Sequence, residues 1–203
     1  MAAGPLLEWG VAARPLPGEH ESGDHFLVKT FEDGAALAVV DGLGHGAEAA
    51  AAARRAVATV EAAARDPLPT LFRRCHDALV GTRGVVMSTA IIELRQSPQV
   101  TWAGVGNVDA WLLRPHAEGG KVRTSLVPRG GVLGREVPPL TPVTLPLDPG
   151  DLLVFATDGV RDGFIEAVSL QDAPQRAAGR ILATHGKGTD DALVLVAKYL
   201  GRA

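Results

Sequence analysis

Residues 35–57 read AALAVVDGLGHGAEAAAAARRAV, and the meaning of this stretch decides the architecture of the chain. A short apolar run closes on Asp41, passes through Gly42, Gly44 and Gly46 with His45 among them, and becomes alanine-rich at once. From Ala47 to Arg65 there is no breaker before Pro67, so intrinsic propensity predicts a helix. The run before Asp41 predicts a strand, and HFLVKTF at 25–31 has the same texture, with Glu32-Asp33-Gly34 as the hairpin turn between them. Strand, glycine turn and helix fit two different molecules. In one, Gly42-Leu43-Gly44-His45-Gly46-Ala47 answers to G-x-G-x-x-A of a dinucleotide fold, with Glu61 as the ribose-binding acid. In the other, Asp41 is itself the working group.

The sequence on either side separates the two. Thr70 is placed to cap a second helix, with Leu71, Phe72, Cys75 and Leu79 on its core face. From Val85 onward strands dominate: VVMSTAIIEL, QVTWAGVGNVDAWLLR, VRTSLV, VTLPL, DLLVFATDG and ALVLVAKYL, with one further helical region between Ala173 and Thr184. Neighbouring strands joined by short turns pair antiparallel, whereas repeated dinucleotide-type units need a crossover helix after nearly every strand. An Asp41 carboxylate would also sit where a pyrophosphate is received by a helix N-terminus. The expected fold is therefore α/β in content and α+β in order: two packed, mainly antiparallel sheets flanked by helices, with several strands ending at one edge. The first twenty or so residues carry no clear assignment.

With 203 residues, 46% of them hydrophobic, the chain can bury a substantial core as one domain, 1–203. A net charge of -3 with both signs mixed recommends no nucleic-acid or membrane partner. Cys75 is the only cysteine, and no N-terminal segment has the form of a leader or a bilayer span, so a cytoplasmic protein is expected.

Acidic residues collect at strand ends. Asp24 precedes FLV, Asp41 closes LAVVD, Asp158 closes LLVFATD, and Asp190-Asp191 stands before ALVLVA. If the fold brings these together, two charges about 4 Å apart repel by about 4 kcal/mol at a surface-like dielectric. Hard oxygen donors without histidine or cysteine suit Mg2+ or Mn2+, and a pair of such ions can hold a phosphate for in-line attack. Plainer readings stand beside this one. Asp33-Gly34 and Asp162-Gly163 read as turns, Asp158 can cap the segment after it, Asp190-Asp191 can simply end a loop, His45 can be a surface donor, and Asn107 can mark a bulge.

Three blocks in order, Asp41-Gly42-Leu43-Gly44-His45-Gly46, Ala156-Thr157-Asp158-Gly159 and Thr189-Asp190-Asp191-Ala192, resemble the signatures of the metal-dependent protein serine/threonine phosphatases (PPM), in the form of the SpoIIE-type branch. Ser22-Gly23-Asp24, Ser88-Thr89-Ala90, Gly104-Val105-Gly106-Asn107 and Gly130-Gly131-Val132-Leu133-Gly134 extend the resemblance over nearly the whole chain. It implies a four-layer α-β-β-α sandwich with a binuclear Mn2+ or Mg2+ centre. Asp41 would bridge both metals, the Gly42 carbonyl would bind one, and Asp158 and Asp190 would complete the protein shell; these three aspartates carry the catalysis. Asp24 would contribute through water and Asp191 would support or extend the centre. Metal-activated water would attack phosphorus directly. Within this branch the chain most resembles the small stressosome phosphatases, and that resemblance implies substrates that are phosphorylated STAS-domain proteins of a stressosome. Eukaryotic-type members have a histidine directly after Asp-Gly where this chain has Leu43, so their general acid does not transfer to His45; Arg14 is a phosphate-binding candidate only by its place upstream of Asp24. An inactive phosphatase-like binding module is the alternative, disfavoured because clustered carboxylates are costly without a metal.

Overall fold

The computed structural model describes residues 5–94, 96–116 and 120–201. One sheet contains β2 (Asp24–Phe31), β3 (Gly34–Gly42), β4 (Val85–Glu93), β5 (Gln99–Val105) and β8 (Val143–Pro146), side by side in that order. The other runs β1 (Leu7–Arg14), β10 (Ala192–Tyr199), β9 (Leu152–Ala156), β6 (Asp109–Pro115) and β7 (Lys121–Ser125). Every pairing within both sheets is antiparallel.

Alternation along the strands builds the layers, because successive side chains point to opposite faces. In β3, Leu37 and Val39 face the second sheet and join Trp102, Phe155, Leu195 and Tyr199 between the sheets. Ala38 and Val40 face outward onto α1 (Gly46–Ala62) and α2 (Leu68–Leu79), where Ala53, Phe72 and Leu79 are buried with them. On the far side, Val154, Val194 and Val196 pack against Ile181 of α3 (Pro174–His185) and Phe164 of a short 3-10 turn. Helices, sheet, sheet, helix: the expected α-β-β-α sandwich is what the chain forms. Small residues let the layers close up, since a Cβ at Gly42 would lie 2.3 Å from the Ala49 carbonyl oxygen of α1.

Several expectations need correction. Thr70 does not cap α2; the helix starts at Leu68 and the Thr70 amide already donates to the Pro67 carbonyl at 2.9 Å. Pro69 in the first turn favours the start instead, its lost N–H being one that a first turn leaves unpaired anyway. The run at 99–114 is not one interrupted strand. It breaks at Gly106 (φ 95°), and its halves, β5 and β6, belong to different sheets. The unassigned N-terminal segment supplies β1, which pairs with β10 along its full length.

Candidate metal centre

Strand register assembles the site. Asp24 opens β2 and is the direct cross-strand partner of Asp41, the penultimate residue of β3. Asp158 follows β9 by two residues and Asp190-Asp191 immediately precedes β10, the neighbour of β9 in the opposite sheet. The two sheets are linked here by the Thr157 hydroxyl, which donates to Asp24 Oδ2 at 2.7 Å while accepting from the Leu193 amide at 2.9 Å. Thr157 has no role in the sequence reading beyond its place in a motif, yet it is buried and holds the Asp24 carboxylate in position.

Each remaining acid has a distinct environment. Asp190 Oδ1 accepts the Asp191 amide at 2.8 Å, a local turn that fixes the carboxylate at the head of β10. Asp191 is 3% exposed, and its two oxygens accept the Leu16 amide at 2.7 Å and the Gly23 amide at 2.8 Å. It thus ties the 15–23 loop, and with it Asp24, to the end of β10. The Gly42 amide donates to the Gly23 carbonyl at 3.0 Å, which locks the same loop to β3. Asn107, read in sequence as a bulge residue, donates from Nδ2 to Asp158 Oδ2 at 2.8 Å. Its local sequence does not signal this, because the contact continues, two residues further on, the β6–β9 pairing in which Asp109 lies opposite Ala156. Gly159 must be small: a Cβ there would lie 1.8 Å from the Asp191 carbonyl oxygen.

The carboxylates share one electrostatic field. Burial pushes Asp24 up to about 7 against the Thr157 hydrogen bond, with Asp191, Asp158 and Asp190 adding to the rise. Burial likewise pushes Asp41 up to about 8, assisted by Asp24, Asp158, Asp190 and Asp191. Among the described residues, no three His, Cys, Asp or Glu side chains are grouped closely enough to hold a metal ion as they stand. The acids at these strand ends offer oxygen donors only, with an excess of negative charge, and that donor chemistry fits a hard divalent cation, which would offset the charge that burial, and after it the neighbouring carboxylates, makes unfavourable on Asp24 and Asp41.

Around the rim, His45 leads into α1 without capping it and pairs through Nδ1 with Glu19 Oε1 at 2.5 Å. Arg54 pairs with Glu21 at 2.7 Å, a second tie between α1 and the 15–23 loop. Arg14 ends β1 opposite Ala192, but its guanidinium lies beside Gly186 and Gly188. The Asp33 and Asp162 turns are as expected: β2 and β3 meet across Glu32 and Asp33, and Gly163 adopts φ 80°.

Residues 32–200 match the family model described as Stage II sporulation protein E, SpoIIE. The chain belongs to the SpoIIE family. Among its relatives, the phosphoserine phosphatase RsbX of Bacillus subtilis (strain 168) is 29% identical over 143 residues, which is 70% of this chain and 69% of RsbX. A solved chain from work on the bacterial stressosome, a modular system adapted to control secondary messenger signaling, superposes with a TM-score of 0.85 at 34% identity, covering 95% of this chain and 99% of that one. The crystal structure of RsbX in complex with magnesium superposes with a TM-score of 0.82 at 23% identity over 95% of both chains. Membership of this family, with RsbX among its relatives, makes this chain a protein phosphatase. No described helix is long and apolar enough to cross a membrane.

Proposed function

We propose that the chain, acting in the cytoplasm as a single phosphatase domain over residues 1–203, hydrolyses phosphoserine or phosphothreonine on a phosphorylated STAS-domain component of a stressosome. The observation that carries the catalytic reading is the meeting of Asp24 and Asp41 from one sheet with Asp158 and Asp190 from the other, in surroundings that raise the first two to about 7 and about 8. Support for the partner is the likeness to RsbX and to a chain of the stressosome system.

In this reading Asp41, Asp158 and Asp190, with the Gly42 carbonyl, are the residues that would hold Mn2+ or Mg2+. When bound, the ions supply Lewis acidity toward the phosphoryl oxygens and lower the pKa of the attacking water. Asp24 acts at one remove, as a buried hydrogen-bond acceptor for water at the centre. Asp191 holds no substrate; with both oxygens taken by backbone amides it fixes the loop that presents Asp24. Asn107 orients the Asp158 carboxylate, a kind of outer contact on which metal affinity commonly depends.

The test is to phosphorylate a STAS-domain stressosome protein with its kinase, add this protein with Mn2+ or Mg2+, and follow phosphoserine and phosphothreonine by intact-mass spectrometry. Loss of phosphate in metal but not in chelator supports the proposal. Tight binding of the phosphoprotein with its phosphate retained under both metals would replace it with the inactive binding module.

A further inference from the structure

Beside the metal rim, on the helical side of the β2–β3 sheet, lies a cavity of about 730 Å3 whose walls carry Arg55, Arg83 and Arg135 over a floor of Ala51 and Ala52. The arginines come from three places: Arg55 from α1, Arg83 from the loop between α2 and β4, and Arg135 from the loop after Leu133. Glu48 is the one carboxylate in the lining, and it is taken by Arg83, Nε to Oε2 at 2.6 Å. The guanidinium groups of Arg55 and Arg135 have no hydrogen-bond or ion-pair partner among the described residues. A chain of net charge -3 thus keeps an uncompensated positive cavity.

The cavity is physically joined to the site. The Leu43 amide donates to the Gly84 carbonyl at 3.0 Å, which fastens the Arg83 loop to the residues directly after Asp41 and Gly42. Arg83 also lies across Gly44, where a Cβ would come within 2.7 Å of its guanidinium nitrogen. Gly44, against which Arg83 lies, is three residues from Asp41, close enough in the fold for residues that flank a phosphoserine at the acidic rim to meet this cavity. Guanidinium forks bind carboxylate and phosphate oxygens well, and a positive cleft attracts anionic segments from solution.

We propose that the Arg55–Arg83–Arg135 cavity is a docking subsite for anionic side chains flanking the phosphorylated residue of the substrate protein. This rests on the phosphatase reading above for the identity of the partner, and it makes the enzyme selective for acidic or multiply phosphorylated contexts.

Binding and turnover are measured separately. Three fluorescein-labelled phosphoserine peptides, flanked by Glu, by a second phosphoserine, or by Gln, are titrated in chelator by fluorescence anisotropy against the wild type, Arg55→Gln/Arg135→Gln, and Arg73→Gln as a charge control outside the cavity. The wild type should bind at least one anionic-flank peptide about tenfold more tightly than the Gln peptide, the double variant should lose that advantage, and Arg73→Gln should keep it. Whichever anionic flank shows the advantage identifies the source of the negative charge. No advantage in the wild type, an advantage retained by the double variant, or an equal loss in Arg73→Gln would overturn the subsite. Turnover of the same peptides with Mn2+ tests the phosphatase reading independently, since the binding arm needs neither metal nor catalysis.

Discussion

Replacing Asp24 by Asn should stabilise the metal-free protein at alkaline pH. Asp24 is 5% exposed, and burial with its acidic neighbours raises it from 3.8 to about 7. A carboxyl raised on folding contributes stability that is fully present below 3.8, where both states are protonated, and is lost as pH climbs through about 7, where the folded state gives up its proton. A rise of about three units corresponds to up to about 4 kcal/mol at pH 8, at about 1.4 kcal/mol per unit. Asparagine keeps the shape and an oxygen for the Thr157 hydroxyl but carries no charge. Thermal melts in chelator should therefore show wild type and Asp24→Asn nearly together at pH 4 and separating with pH, the variant higher by up to about 10 °C at pH 8 for a chain of this size. Saturating Mn2+ should erase or reverse the gap, because the cation binds the ionised wild type better. A variant less stable than wild type in chelator at pH 8, or a gap that does not change with pH, would refute the claim that uncompensated negative charge is gathered at this edge.

Other substitutions test the supports of the rim. Asp191→Ala leaves the Leu16 and Gly23 amides without acceptors and should cost about 2 kcal/mol, with faster hydrogen exchange at both amides by NMR. Asn107→Ala removes the donor to Asp158 and should weaken Mn2+ binding about tenfold by calorimetry, while the melting temperature in chelator moves little because Asn107 is exposed. Gly159→Ala forces a Cβ to 1.8 Å from the Asp191 carbonyl oxygen and should destabilise the fold by about 3 kcal/mol or more by urea denaturation.

Much of the sandwich is legible in the sequence because periodicity and turn chemistry act locally. The β2–β3 hairpin, the alanine-rich α1 and the apolar face of α2 each follow from a dozen residues read alone. β1 is not legible: LEWGVAAR alternates poorly, and it is a strand because β10 offers an edge and because Gly10 lets α3 approach, where a Cβ would lie 2.2 Å from the Gln175 Cα. The β5–β6 break is hidden for a related reason, since sequence shows that a segment is extended but not which sheet receives it. At the site, the acids announce themselves by ending apolar strands. Thr157 and Asn107 do not, because their importance lies in contacts 133 and 51 residues away in sequence. The Arg55–Arg83–Arg135 cavity is invisible for the same reason.

The most direct test of the central claim is hydrolysis of p-nitrophenyl phosphate by the purified protein with Mn2+, with Mg2+ and with chelator, alongside Asp41→Asn and Asp158→Asn. The account predicts turnover that requires a divalent metal and falls by at least about a hundredfold in both variants, each still folded by circular dichroism. Turnover that survives chelation, or either variant retaining wild-type activity in metal, would contradict it.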